Sequence, residues 1–415
     1  MNIFSKFSLN NEYYKDLLLI TLLGFSLRII FINICNIEGD FNGGDSLYYL
    51  DIANNLLNYN IHGEQLNKNF YRPPLYSALL AVFLSVSKNP YIIIFFHSLL
   101  SYFYVLILYF ILRKFSKKLS LYCSIAIFCS PFEILMNLRV LSENVVTPLM
   151  VIASLCIINI NKKNIYYPIV LGITLGLLTL GRDVYILLPF LILIILYNNI
   201  NKVILFLIIS SYIFITFPWI IRNSQISNGG FFISKGILWQ NIWVGTWEKD
   251  GKWMGSTIVD KVPSEALTTY RKIPSEILQK AWEDKNQLFF KNESISYIID
   301  NPTTTLFTWA QRYPYLWVGT RSDLNNFLIK RYSVVWYLMK LIFFMINLIV
   351  LILAILGIIK AIKTKDEISK LSIPILYSGL IYIPLHNVET RYTLPVFPLM
   401  IIFSIYYLIN YKKRS

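Results

Sequence analysis

The sequence predicts an all-α polytopic membrane protein, and three observations lead there. Hydrophobic types make up 56% of the 415 residues and charged types only 15%, and mean hydropathy is +0.54. A soluble domain averages about 45–50% apolar and about 25% charged residues, so the apolar excess must face lipid. The apolar residues gather into ten runs long enough to cross a bilayer core, near 17–35, 90–112, 119–137, 140–158, 165–181, 184–198, 203–221, 336–359, 371–386 and 392–410. The basic residues are distributed one-sidedly between those runs. With 17 Gly, 16 Pro and 4 Cys, collagen-like, disordered and disulfide-framework classes are excluded.

The first run, Leu17 to Cys35, is longer than a signal-peptide core and has no small-x-small cleavage site, so it is expected to remain as a span. Cys35, Cys123, Cys129 and Cys156 lie in or beside apolar runs and read as small core residues. No C-x-x-C or His/Cys cluster predicts a zinc site. Placing the N-terminus in the cytoplasm puts 16 basic residues on that side, among them Lys6, Lys15, Arg113, Lys117, Lys163, Lys202, Lys360, Lys370 and Arg414. Only Glu12, Asp16, Asp366 and Glu367 oppose them, leaving 16 − 4 = +12 of the chain's net +15. The basic character is therefore a topology signal that needs no nucleic acid.

Ten spans with both termini inside leave five segments: 1–35, an N-terminal span; 36–89, outside; 90–221, spans two to seven; 222–335, outside; and 336–415, spans eight to ten with a cytoplasmic tail. In the first outer segment, Gly43-Gly44-Asp45-Ser46 signals a helix start, with Asp45, Tyr48, Tyr49, Ile52 and Leu56 at helical spacing. A second short helix is expected to begin at Arg72-Pro73-Pro74-Leu75. Its apolar stretch, Leu75 to Val86, is too short to span and reads as lying at the outer interface. Segment 222–335 carries 14 basic and 10 acidic residues and helix-like stretches at Pro274–Lys291 and Glu293–Ile299, which predicts a small, mainly helical domain between spans seven and eight.

Most remaining acids then gather on one face, where chemistry is expected. Asp45 is either a helix cap or a general base held rigid at a helix end; Asp40 and Asp51 read as solvated acids. Arg72, stiffened by two prolines, suits bidentate phosphate capture or snorkelling to headgroups, and Arg222 at the end of span seven has the same two readings. Arg139 and Glu143, four residues apart, read as a helix-surface pair, with Glu143 as a second acid in the site as the alternative. Arg182-Asp183 reads as a turn or as part of the site. Trp239, Trp243 and Trp247, with Trp253 beyond, read as an interface belt or a sugar-stacking face. His386, Glu389 and Arg391 lie in the last outer turn.

In their order these features resemble the bacterial family-39-like branch of the C-type membrane glycosyltransferases (GT-C fold), relatives of the protein O-mannosyltransferases and of the transferase that places aminoarabinose on lipid A. The residues that carry the resemblance are Asp45 with Tyr48, Tyr49, Ala53 and Asn54; Tyr71 to Tyr76; Leu141-Ser142-Glu143; Gly176 to Arg182; Phe217-Pro218-Trp219 with Arg222-Asn223; Ile298 to Pro302 with Arg312 and Trp317; and Arg391-Tyr392 with Pro395 and Pro398. The resemblance implies a sugar donor on polyprenyl phosphate, a glycan, lipid or protein hydroxyl as acceptor, inversion at the anomeric carbon, a role in cell-envelope glycan synthesis, and a site on the outer face of the bacterial cytoplasmic membrane. It implies Asp45 as catalytic base and Arg72 and Arg222 as donor-phosphate contacts, with Tyr48, Tyr49, Arg182, His386 and Arg391 as further substrate-binding residues. Where some relatives carry a second acid, this chain has Tyr71, so the resemblance implies no metal or two-carboxylate site at that spot, with Glu143 as the substitute acid; no cofactor is expected, and metal dependence is left open. A transporter or flippase of lipid-linked sugars is the alternative, for which Arg28, His97, Glu133 and Lys340 are the intramembrane charges. A surface-polysaccharide polymerase or ligase is a third reading.

Overall fold

In a computed structural model the chain is described at residues 11–35, 45–63, 72–160, 164–197, 200–227, 230–248, 262, 264–270, 272–284, 286–319, 333–386 and 389–411. The regular elements among these residues are helical. Four helices are long and apolar enough to cross a membrane: α1 (Asn11–Ile34), α4 (Pro90–Leu112), α10 (Lys202–Ile226) and α16 (Val334–Lys363). A fifth candidate is α5 (Lys117–Phe128) followed by α6 (Pro131–Asn137), bent by 48° at their junction. The remaining apolar runs form shorter helices: α7 (Glu143–Asn159), α8 (Tyr166–Gly181), α9 (Leu188–Leu196) after a 3-10 turn, α17 (Ser372–Ile381) and α18 (Phe397–Tyr411).

Local sequence explains the boundaries. Asn89 accepts the Tyr91 N–H at 2.9 Å and Pro90 opens α4. Asn201 and Ser333 cap α10 and α16 in the same way. The run expected as one straight span over 119–137 breaks at Cys129-Ser130 because Pro131 can begin a helix but cannot continue one. Close packing inside the bundle rests on small residues. A methyl group at Gly172 would collide with the Ile208 carbonyl, and one at Gly176 would lie 2.7 Å from Ile215 Cβ, so α8 and α10 approach through a small-xxx-small stripe.

The first outer segment folds as expected, with α2 (Asp45–Tyr59) and α3 (Leu75–Val86). Segment 222–335, expected as an outer domain and termed so, contains α11 (Leu238–Trp247), α12 (Ser264–Thr269), α13 (Ser275–Glu283), α14 (Gln287–Asp300) and α15 (Pro302–Val318). The stretch expected to be helical from Pro274 to Lys291 is interrupted where Asn286 turns back to cap α14 through the Phe289 N–H. The tryptophans of α11 are neither an interface belt nor a stacking face. Four-residue spacing puts Trp243 and Trp247 on one side of α11, inside a core with Tyr270, Trp282 and Phe290. Trp239 is partly buried beside them; Trp253 lies outside the described residues.

Candidate functional site

Five stretches far apart in sequence deliver two carboxylates and three guanidinium groups to one place. Asp45 is the first residue of α2, and Arg72 immediately precedes α3, directed by Pro73 and Pro74. Glu143 opens α7. Arg182 follows Gly181 at the end of α8, where the backbone turns extended. Arg391 sits on a 3-10 turn at Thr390–Tyr392, ahead of α18. The turn that presents Glu143 is tied by its neighbour: Asn144 Nδ2 donates to the carbonyls of Met136, Arg139 and Leu141 at 3.0, 2.8 and 3.2 Å.

Asp45 is gripped on both oxygens. Arg72 Nη2 donates to Oδ1 at 2.6 Å and Arg391 Nη2 to Oδ2 at 2.8 Å. Glu143 Oε1 receives Arg182 Nη1 at 2.9 Å and lies 3.4 Å from Arg391 Nε. Arg391 therefore bridges the two acids. Tyr392 forms the floor, with the guanidinium carbons of Arg182 and Arg391 each 5.0 Å from its ring centroid. Arg72 likewise lies 4.9 Å from the Tyr49 ring and 5.8 Å from that of Tyr48. Glu143 is 2% exposed, whereas the Asp45 and Arg72 side chains keep 26% and 27% of their exposure, so the cluster opens on the Asp45–Arg72 side.

Burial would push the Asp45 carboxyl up. The guanidinium groups of Arg72 and Arg391 outweigh it and hold Asp45 well below the usual carboxylate range. Burial likewise opposes the charged forms of Arg72 and Arg391, and the adjacent Asp45 helps raise both above the ordinary arginine value. Three guanidinium groups converge here on Asp45 and Glu143, with Glu389 also acting on Arg391, and guanidinium groups suit a bound phosphate group. Asp45, Glu143, Arg72, Arg182, Arg391, Tyr48 and Tyr49 are thus brought together.

Three readings from the sequence are corrected. Arg139 precedes α7, so it does not share a helix with Glu143, whose partners lie 39 and 248 residues onward. Arg222 is held elsewhere: it donates to Asn223 Oδ1 at 2.9 Å and to the His62 carbonyl at 3.5 Å, and its guanidinium lies 4.5 Å from the Trp219 ring centroid. His386 is buried against the outer domain, its backbone N–H donating to the Asn241 carbonyl at 3.1 Å. Desolvation, helped by the charge of Arg312, pushes its imidazole down to about 3. Asp183 turns away from Arg182 to accept from Ser234. Asp40 and Tyr71 lie outside the described residues. Tyr392 was absent from the expected site residues; its place next to Arg391 was the available signal.

No family model matches this chain, and comparison with curated protein sequences gives no match. Among solved structures, a match is the archaeal oligosaccharyltransferase AglB from Archaeoglobus fulgidus, determined in complex with an inhibitory peptide and a dolichol-phosphate. Identity is 15%, the match covers 97% of this chain and 51% of that one, and the TM-score is 0.48. This chain spans about half the length of that protein.

Proposed function

We propose that the chain is a multi-pass membrane glycosyltransferase that moves a sugar from a polyprenyl-phosphate donor to an acceptor hydroxyl, with inversion, at the outer face of the cytoplasmic membrane. In this reading the ten apolar segments cross the bilayer with both ends inside, and 36–89 and 222–335 lie outside. The observation that carries the proposal is the pairing of Asp45 with Arg72 and Arg391 at 2.6 and 2.8 Å, on a side of the cluster that remains open.

The chemistry follows from those contacts. An acceptor hydroxyl loses its proton to Asp45 as its oxygen attacks the anomeric carbon; the bond from that carbon to phosphate oxygen breaks, and the phosphate leaves with the electron pair. Guanidinium groups stabilise the departing charge. Clamped by two arginines, Asp45 is a weak base. A donor phosphate competing for Arg72 and Arg391 loosens the clamp and restores basicity, so the base is activated when the donor is in place. Glu143 aims Arg182 and Arg391.

A transport path for lipid-linked sugars calls for charged groups lining a midplane cavity. The buried ionisable groups Arg28 and Glu133 are occupied with neutral side chains and backbone: Arg28 donates to Asn137 Oδ1, Gly24 O and Phe128 O, and Glu133 accepts from Ser101. The test uses a radiolabelled polyprenyl-phosphate hexose or pentose, with sealed vesicles of both orientations. Label is expected to reach an acceptor supplied at the outer face of right-side-out vesicles. Release of water-soluble sugar without transfer, or translocation of intact donor, overturns the proposal.

A further inference from the structure

A polar core inside the helix bundle connects both acids of the cluster. Asn137, the last residue of α6, stands at its centre and is 2% exposed. Its Oδ1 accepts from Arg28 Nε and Nη2 at 3.2 and 3.0 Å. Its Nδ2 donates to Ser101 Oγ at 3.0 Å and to Asn144 Oδ1 at 3.1 Å. Arg28 also donates from Nη1 to Phe128 O at 2.7 Å, satisfying a carbonyl released where the α5–α6 span breaks. Ser101 Oγ donates to Glu133 Oε1 at 2.7 Å, so Arg28 and Glu133 are joined through two neutral side chains.

Two arms run from this centre. One goes through Asn144 to the turn carrying Glu143. The other begins at the Asn137 carbonyl, which lies 3.0 Å from His97 Nδ1. A carbonyl only accepts, so Nδ1 carries the proton, and Nε2 is left to accept from the Tyr76 hydroxyl at 3.2 Å. Tyr76, fully buried, meets the Tyr49 ring edge-on at 4.9 Å and 84°. Tyr49 in turn supports the guanidinium of Arg72, which holds Asp45.

We propose that Asn137 is a positioning residue that fixes the separation of Asp45 and Glu143, through His97, Tyr76 and Tyr49 on one arm and Asn144 on the other. The consequence for catalysis rests on the transferase reading; the mechanical part does not. Polar groups in an apolar bundle are held tightly because lost partners are not replaced by water, which makes such a core a stiff frame for a site at its edge.

The test is hydrogen–deuterium exchange by mass spectrometry on purified full-length protein in detergent, with Tyr76→Phe, Asn144→Ala and Asn137→Leu. Tyr76→Phe removes one hydroxyl and keeps the ring. It should speed exchange about three- to tenfold across 45–59, the scale of one lost hydrogen bond, and by less across 139–147, where the Tyr76 hydroxyl also faces Asn144 and the Leu141 backbone. Asn144→Ala should do the reverse, and Asn137→Leu should affect both, with 275–300 in the outer domain unchanged throughout. In the labelled-donor assay Tyr76→Phe should lower kcat about tenfold while the donor KM stays within about twofold. If Asn137→Leu fails to fold, Tyr76→Phe and Asn144→Ala still decide the matter. Exchange unchanged in both regions, or raised equally in 275–300, overturns the proposal. A wild type with no transfer activity but the stated exchange pattern overturns the transferase reading and leaves the brace standing.

Discussion

The two ends of the helix bundle are both rich in charge, and they use it differently. At the end bearing Asp16, Arg113, Lys117 and Glu367, Arg113 Nη1 meets Asp16 Oδ2 at 2.7 Å with the two side chains 13% and 12% exposed, and the other pairs lie nearer water. Lys117 meets Glu12 at 2.7 Å with the two side chains 51% and 63% exposed, and Lys370 pairs with Glu367 three residues away. At the other end Glu143 is 2% exposed, Arg182 16% and Arg391 17%, and the contacts span up to 346 residues of sequence. Solvated pairs contribute little to stability. Buried, convergent pairs are costly to assemble and are kept where charge is needed.

The sharpest way to break this contrast is Asp45→Asn. Asparagine preserves shape and caps a helix about as well as aspartate, so the fold should survive while transfer falls by about 10²–10⁴-fold. A rate near wild type in the labelled-donor assay would remove Asp45 from the chemistry. Next in size is Glu143→Gln, which takes the carboxylate partner from Arg182 and leaves Arg391 with Asp45 alone. Denaturation in detergent should register a loss of up to about 3 kcal/mol, the low end for a broken buried pair because both arginines keep some exposure. Arg72→Ala should weaken transfer by about 1.5–3 kcal/mol, and Arg72→Lys, which keeps charge but loses the planar fork, by less. Equal activity of Arg72→Lys and wild type would leave charge as the sole requirement.

His386 and His62 are both buried and pushed down, to about 3 and about 4, chiefly by desolvation. The folded state keeps them neutral where the unfolded chain takes up a proton, so stability is complete above the ordinary histidine pKa of about 6.5 and declines as pH falls below it. The thermal midpoint should drop between pH 7 and 5, and His386→Gln should flatten that slope. Smallest of all, Glu12→Gln should leave the thermal midpoint within about 1 °C, as for other surface changes; a larger shift would mean the exposed end is also structural.

What the sequence disclosed follows the range of the forces involved. The helix start at Leu75 is a local matter of the prolines before it, and the short helix Leu75–Val86 was legible for that reason. The members of the site were visible as polar residues at the ends of apolar runs. Their pairing was not. Nothing local ties Asp45 to Arg391, and four-residue spacing pointed Glu143 to Arg139, a pairing that fails because the chain turns between them. His386 and Arg391 are five residues apart and were read together, yet one enters the outer domain and the other the acid cluster. Trp243 and Trp247 were read as surface because a tryptophan stripe looks alike from sequence whether it meets lipid, sugar or a small core.

That divergence within residues 382–391 gives the outer domain a fixed seat. Gly245 on α11 lies so close to the Pro384 carbonyl that no side chain fits between them, and Asn241 holds the backbone of His386. Five residues later the same segment delivers Arg391 to Asp45. The α11 segment and the turn before α18 therefore share one packed surface, and a chimera that exchanges one without the other is expected to lose it. A recombination point placed between them would cut through a shared surface although the two segments are more than a hundred residues apart.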